Sequence, residues 1–206
     1  MPVPSARTSY VVVAEAYRLL LVNGFPVREQ LVHWADLELL NNSEADIFLA
    51  DLSTSSSMNL NDLISLLQRY VGYEKPLVSS RAVIGYLADN FAKGYLPLEK
   101  ICDSLCRLER QGGLTHEEKS MIVGLDDEYS LAKDGIRGSV EEVVAYLQRL
   151  LEGYRDFRLE EPGSWQLVNS KADAEIRQLF QTVREERSAF IHEERNSRKR
   201  PWWRFW

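Results

Sequence analysis

Ser139-Val140-Glu141-Glu142-Val143-Val144-Ala145-Tyr146-Leu147-Gln148-Arg149-Leu150-Leu151-Glu152-Gly153-Tyr154 decides the fold. Val140, Val143, Val144, Leu147, Leu150, Leu151 and Tyr154 recur at three- and four-residue spacing, so one face of an α-helix is apolar. Ser139 and Glu142 stand where a capping box needs them, each side chain able to accept from the other's backbone N–H. The helix therefore has a defined start as well as a buried face.

The same grammar extends toward the N-terminus. Thr115-His116-Glu117-Glu118 is a second capping box, followed by Met121, Ile122, Leu125 and Tyr129. Gln111-Gly112-Gly113 ends the preceding helix, which opens with Pro97 in its first turn and Glu99 at its positive end. Ile101, Leu105 and Leu108 form its stripe, flanked by Cys102 and Cys106. Val83, Ile84, Leu87, Ala88 and Phe91 mark another helix, and Leu63, Ile64, Leu67, Tyr70 and Val71 one before it. Asp51 to Ser57 is Ser-rich and reads as a surface connection. Ser43 is placed to cap a short helix around Ile47, Phe48 and Leu49, with Asp46 as its capping-box partner. A helix carrying Val27, Leu31, Trp34, Leu37, Leu39 and Leu40 precedes it. In that helix Trp34 faces inward, His33 outward, and Asp36 can accept from a neighbouring helix. Tyr10 to Val22, nearly all apolar, makes a buried first helix that stops at Asn23-Gly24-Phe25-Pro26.

Toward the C-terminus, Phe157 to Glu160 and Trp165 to Val168 flank Glu161-Pro162-Gly163-Ser164. They read as a small β-hairpin, or as an irregular loop pinned by Phe157 and Trp165. A last long helix follows Asn169-Ser170, with Ala172, Ile176, Leu179, Phe180, Val183, Phe190 and Ile191 inward. The expected fold is all-α or nearly so: an irregular bundle of about seven or eight helices, with the hairpin near 157–168. A weak boundary near Gly94 divides an N-terminal helical half, 1–95, from a C-terminal half, 96–195, and residues 196–206 form a cationic Trp-rich tail. Either half is small for an independent core, so the two are expected to pack as one domain.

The chain has 206 residues, net charge −6, 45% hydrophobic and 27% charged residues, ordinary values for a globular protein. The charge is uneven. Arg195, Arg198, Lys199, Arg200 and Arg204 put +5 into the last twelve residues, with no acid among them, leaving the rest near −11. So acidic a body repels phosphate backbones and makes nucleic acid an unlikely partner. It suits a basic protein partner instead. No apolar run approaches a membrane span, and the first residues do not read as a secretory signal. Two cysteines at i,i+4 read as reduced thiols of a cytoplasmic protein, since a disulfide between them would be distorted.

No motif announces a reaction. Phosphate loops and nucleophile elbows are missing. His116-Glu117-Glu118 and His192-Glu193-Glu194 lack the second histidine of a zinc helix, with Ser120 and Asn196 in its place. A Cys106–His116 pair, or His33 with Asp36, in a deep pocket would suit an enzyme with a dispersed active site. No cofactor, metal or catalytic residue is assigned. The densest acidic run, Asp126-Asp127-Glu128, lacks the ligand alternation of a calcium loop and reads as a solvated face or an interaction patch.

The tail Lys199-Arg200-Pro201-Trp202-Trp203-Arg204-Phe205-Trp206 is too short for its own core. Arg200, Trp202, Trp203, Arg204, Phe205 and Trp206 are candidate contact residues. Indoles settle at lipid headgroups while cations meet anionic phosphates, so the tail suits a membrane surface. It suits a protein groove or the chain's own acidic surface equally well. The functional expectation is a non-catalytic protein-interaction module, an adaptor or a toxin-neutralising immunity-type protein. The alternatives are a peripheral membrane-surface protein anchored by the tail and the dispersed-site enzyme.

Overall fold

A computed structural model of the chain describes residues 6–41 and 46–198. Among them nine α-helices follow one another: α1 (Ala6–Val22), α2 (Arg28–Asn41), α3 (Ile47–Ser53), α4 (Leu60–Val71), α5 (Leu77–Ala92), α6 (Leu98–Gln111), α7 (His116–Lys133), α8 (Val140–Glu152) and α9 (Trp165–Arg198). Two 3₁₀ turns, Ser55–Ser57 and Pro162–Ser164, complete the list. The fold is all-α, an irregular bundle.

No strand occurs among the described residues, so the hairpin expected near 157–168 is corrected. Phe157, Leu159 and Trp165 are buried, an alternation that mimics a strand. Their backbone groups instead bond locally, in successive turns: Phe157 N donates to Tyr154 O at 3.1 Å, Glu161 N to Arg158 O at 3.2 Å and Ser164 N to Glu161 O at 3.0 Å. The Trp165 indole closes the loop by donating to Arg158 O at 2.7 Å. Gly85 of α5 makes room for it, because a Cβ there would sit 2.4 Å from Phe157 O. Helix α9 consequently begins at Trp165, five residues before the end of the expected Asn169-Ser170 entry.

Helix α5 organises the bundle. It packs against α1, α6, α8 and α9, while α1 also packs along α4. Ten consecutive or near-consecutive α5 residues, Val78 to Ala88, are buried, so the helix lies inside rather than on the core. Its polar residues are spoken for: the Ser79 hydroxyl donates to Val12 O at 2.7 Å, and Ser80 Oγ accepts from Gly113 N at 2.8 Å. Helix α1 is buried from Tyr10 to Leu21 but for half-buried Arg18. Its one buried acid, Glu15, is held by two bonds from Arg18 at 2.6 and 2.8 Å. Each fully buried leucine in this cluster contributes about 1.5–3 kcal/mol over exposure. One continuous core runs from Tyr10 to Phe180.

Local capping follows the sequence with one change. Both expected capping boxes are closed, at Thr115/Glu118 and Ser139/Glu142. The cap of α3 is Asp46, which accepts from Phe48 N at 2.9 Å and so starts the helix one turn later than a Ser43 cap would. Ser43 itself lies outside the described residues.

Candidate interaction surface

The turn between α7 and α8 is built to hold an apolar side chain in water. Helix α7 ends at Lys133, and Gly135 (φ +65°) takes the left-handed conformation that a C-terminal stop needs. Gly135 N donates to Ala132 O at 3.1 Å and Ile136 N to Leu131 O at 2.9 Å, the paired bonds of a Schellman stop. Gly138 (φ +70°) reverses the chain again. Ser139 then accepts from Glu142 N at 3.2 Å while its own N–H donates to Glu142 Oε2 at 3.0 Å. The loop is thus fixed by backbone bonds at the α7 end and by the capping box at the α8 end, and Ile136 between them is 69% exposed.

Acids surround it. Asp127, Asp134, Glu141 and Glu142 are exposed, as are Val123 and Val140. Residues 126–142 hold six acids against Lys133 and Arg137. Lys133 is engaged by Glu99 of α6 at 2.9 Å. The α7–α8 corner therefore presents Ile136 beside exposed Arg137, in a stretch whose acids outnumber its bases six to two.

Helical twist splits the run Asp126-Asp127-Glu128. Asp126 turns toward α6, where its charge acts on both cysteines; Asp127 is exposed; Glu128 is half-buried. Only Asp127 points fully outward. The candidate tail residues Arg200, Trp202, Trp203, Arg204, Phe205 and Trp206 lie outside the described residues. Ile136 was not legible as a contact residue beforehand, although Lys133-Asp134-Gly135 and Gly138-Ser139 announced the tight turn that presents it.

The buried polar chemistry is taken up by the fold. Arg81 Nε meets Glu118 Oε1 at 2.8 Å, and its Nη1 meets Asn169 Oδ1 at 2.7 Å and Asp173 Oδ1 at 3.0 Å. The Tyr154 hydroxyl donates to the same Glu118 oxygen at 3.0 Å, and Thr115 N donates to the other at 2.8 Å. Burial opposes the Arg81 charge, but Glu118 and Asp173 more than offset it and raise the guanidinium's pKa. Burial, with Glu118 adding, pushes the Tyr154 hydroxyl well above its ordinary value. This network ties α5, α7, the segment after α8 and α9 together. Apart from the Thr115–Glu118 capping bond, none of it was anticipated from the sequence.

The arrangements an enzyme could use fare differently. Burial first, then the Asp126 charge, pushes the Cys102 and Cys106 thiols up to about 12, so neither is an accessible thiolate at neutral pH. His116 is exposed at the start of α7. His33 and Asp36 do share a cleft of about 900 Å³ between α2 and the loops before it and after α3. The Asp36 carboxylate there accepts the Ser53 hydroxyl, the inter-helix bond expected of it. A larger groove of about 1080 Å³ separates α5 from α9, with five basic and five acidic residues along it. Such balance selects no charge in a ligand. Among the described residues no group of three or more His, Cys, Asp or Glu is arranged to hold a metal ion, and no helix is long and apolar enough to cross a membrane. Against protein-family models, curated proteins and solved structures alike, the chain returns no match.

Proposed function

We propose that the protein is a non-catalytic protein-interaction module, of the adaptor or toxin-neutralising immunity kind, whose partner presents a cationic surface to the α7–α8 corner. The observation that carries this reading is Ile136, exposed on a loop closed at both ends and flanked along the chain by exposed Asp127, Asp134 and Glu141. A preordered apolar tip supplies an anchor that costs little entropy to bury. The surrounding carboxylates steer a basic partner toward it and disfavour acidic ones.

The test is site-specific photo-crosslinking in cells. A photoreactive residue at position 136 should give a discrete adduct, and the same residue at fully exposed Tyr73 should not. Adding Asp127→Lys and Asp134→Lys should remove the adduct without lowering thermal stability. Equal adducts at 136 and 73, or an adduct indifferent to the charge reversal, would end the proposal.

A further inference from the structure

We infer that the segment Lys199–Trp206 of one molecule docks on the α7–α8 corner of a second copy of this chain. The inference rests on the reading of that corner as a cation-accepting surface, and it names an occupant. The segment holds Lys199, Arg200 and Arg204 beside Trp202, Trp203, Phe205 and Trp206, with no acid. The corner holds the complement: exposed Val123, Ile136 and Val140 among exposed Asp127, Asp134, Glu141 and Glu142. Indoles cover apolar side chains while guanidinium forks reach carboxylates, so one short peptide satisfies both halves of the surface. The balanced groove between α5 and α9 offers no such match.

The described residues of α9 end at Arg198, so the peptide is the stretch of chain that follows that helix. Offered to a neighbour rather than to its own corner, it joins molecules, and the oligomeric state of the full chain reads which of the two occurs. Two copies exchanging tails reciprocally close into a two-fold dimer with both corners filled.

The experiment is sedimentation equilibrium on the full chain, on a chain ending at Arg198, and on full-length Asp127→Lys/Asp134→Lys/Ile136→Glu. The full chain should dimerise, and its dissociation constant should rise at least about tenfold between 0.15 M and 1 M salt, as the Debye length falls from about 8 to 3 Å. Each altered chain alone should be monomeric. Mixing the two should restore a heterodimer, because one retains an intact corner and the other an intact tail. That complementation also shows that both are folded. A dimer that survives loss of the tail, or a mixture that stays monomeric, overturns the inference. So does a monomeric full chain that floats with phosphatidylserine vesicles, which would assign the tail to lipid. If dimerisation is absent while the crosslink at position 136 persists, the corner serves a foreign partner and only the present inference falls. Loss of both removes both.

Discussion

The Arg81 guanidinium and the Glu118 carboxylate meet at 2.8 Å with both side chains 1% exposed, 37 residues apart in the chain. An ion pair so deep is weak evidence of net stabilisation, because desolvation opposes the attraction. Its consequence lies in asymmetry: each partner needs the other.

Glu118→Ala should therefore cost about 3–5 kcal/mol, since it strands a buried charge and also opens the α7 capping box. Asp173→Asn should cost less, about 1 kcal/mol, because that carboxylate is 30% exposed and Glu118 still balances Arg81. Urea titration of the two variants checks the order. Equal costs would mean that Glu118 carries no special share of the network.

Gly113→Ala tests a close approach. A Cβ at that position would lie 1.8 Å from Lys75 O, so backbone must move, at a cost of about 1–3 kcal/mol. At Gly135 a Cβ would meet nothing, and Ala there should cost only about 1 kcal/mol through its positive φ. Melting temperatures should fall by about 2–4 °C per kcal/mol for a chain of this length. A larger drop at Gly135 than at Gly113 would contradict the packing at α5's entry.

The thiols set a pH window. Cys102 and Cys106 ionise near 12 in the folded chain against a reference value of 9.0. The folded state thus holds protons that the unfolded state releases. Their contribution is fully present below pH 9 and is lost as pH rises from 9 toward 12. Stability of the native chain against denaturant should fall across that range more steeply than that of Cys102→Ala/Cys106→Ala. Thiol-specific reagents should modify the native protein at pH 8 far more slowly than the urea-unfolded one.

Trp165→Phe should cost about 1 kcal/mol, the share of the indole bond to Arg158 O, whereas Trp165→Ala should cost about 3–5 kcal/mol by leaving a cavity under the loop. Chemical denaturation separates the two. Near-equal losses would show that the ring's volume does not anchor the loop.

What could be read in advance was local. Ser139 with Glu142 and Thr115 with Glu118 lie three residues apart, so their capping follows from helix geometry alone, and the α8 stripe follows from its period. Asp46 was in view but assigned the wrong partner, since two residues near it compete for one cap. The Phe157–Trp165 segment misled because alternation of buried residues is shared by strands and by loops pinned at every second side chain. Gly85, more than seventy residues upstream of Phe157, decides which occurs. Arg81 gave no signal at all: Glu118 of α7 and Asn169 and Asp173 of α9 reach it from distant parts of the chain, and Tyr154 joins through Glu118. The corner stands between these cases. Its turn was legible from Gly135, Gly138 and Ser139, but the outward placement of Ile136 depends on how α7 and α8 pack.

Helix α1 is enclosed by α4 and α5, whose last residue is Ala92. During synthesis at about 5–20 residues per second, the chain between Val22 and Ala92 takes about 4 to 14 s to appear. Through the last part of that interval, after α4 has appeared, the face of α1 that α5 covers is still open. A nascent chain arrested before α5 therefore presents an apolar stripe of α1 that only α5 closes.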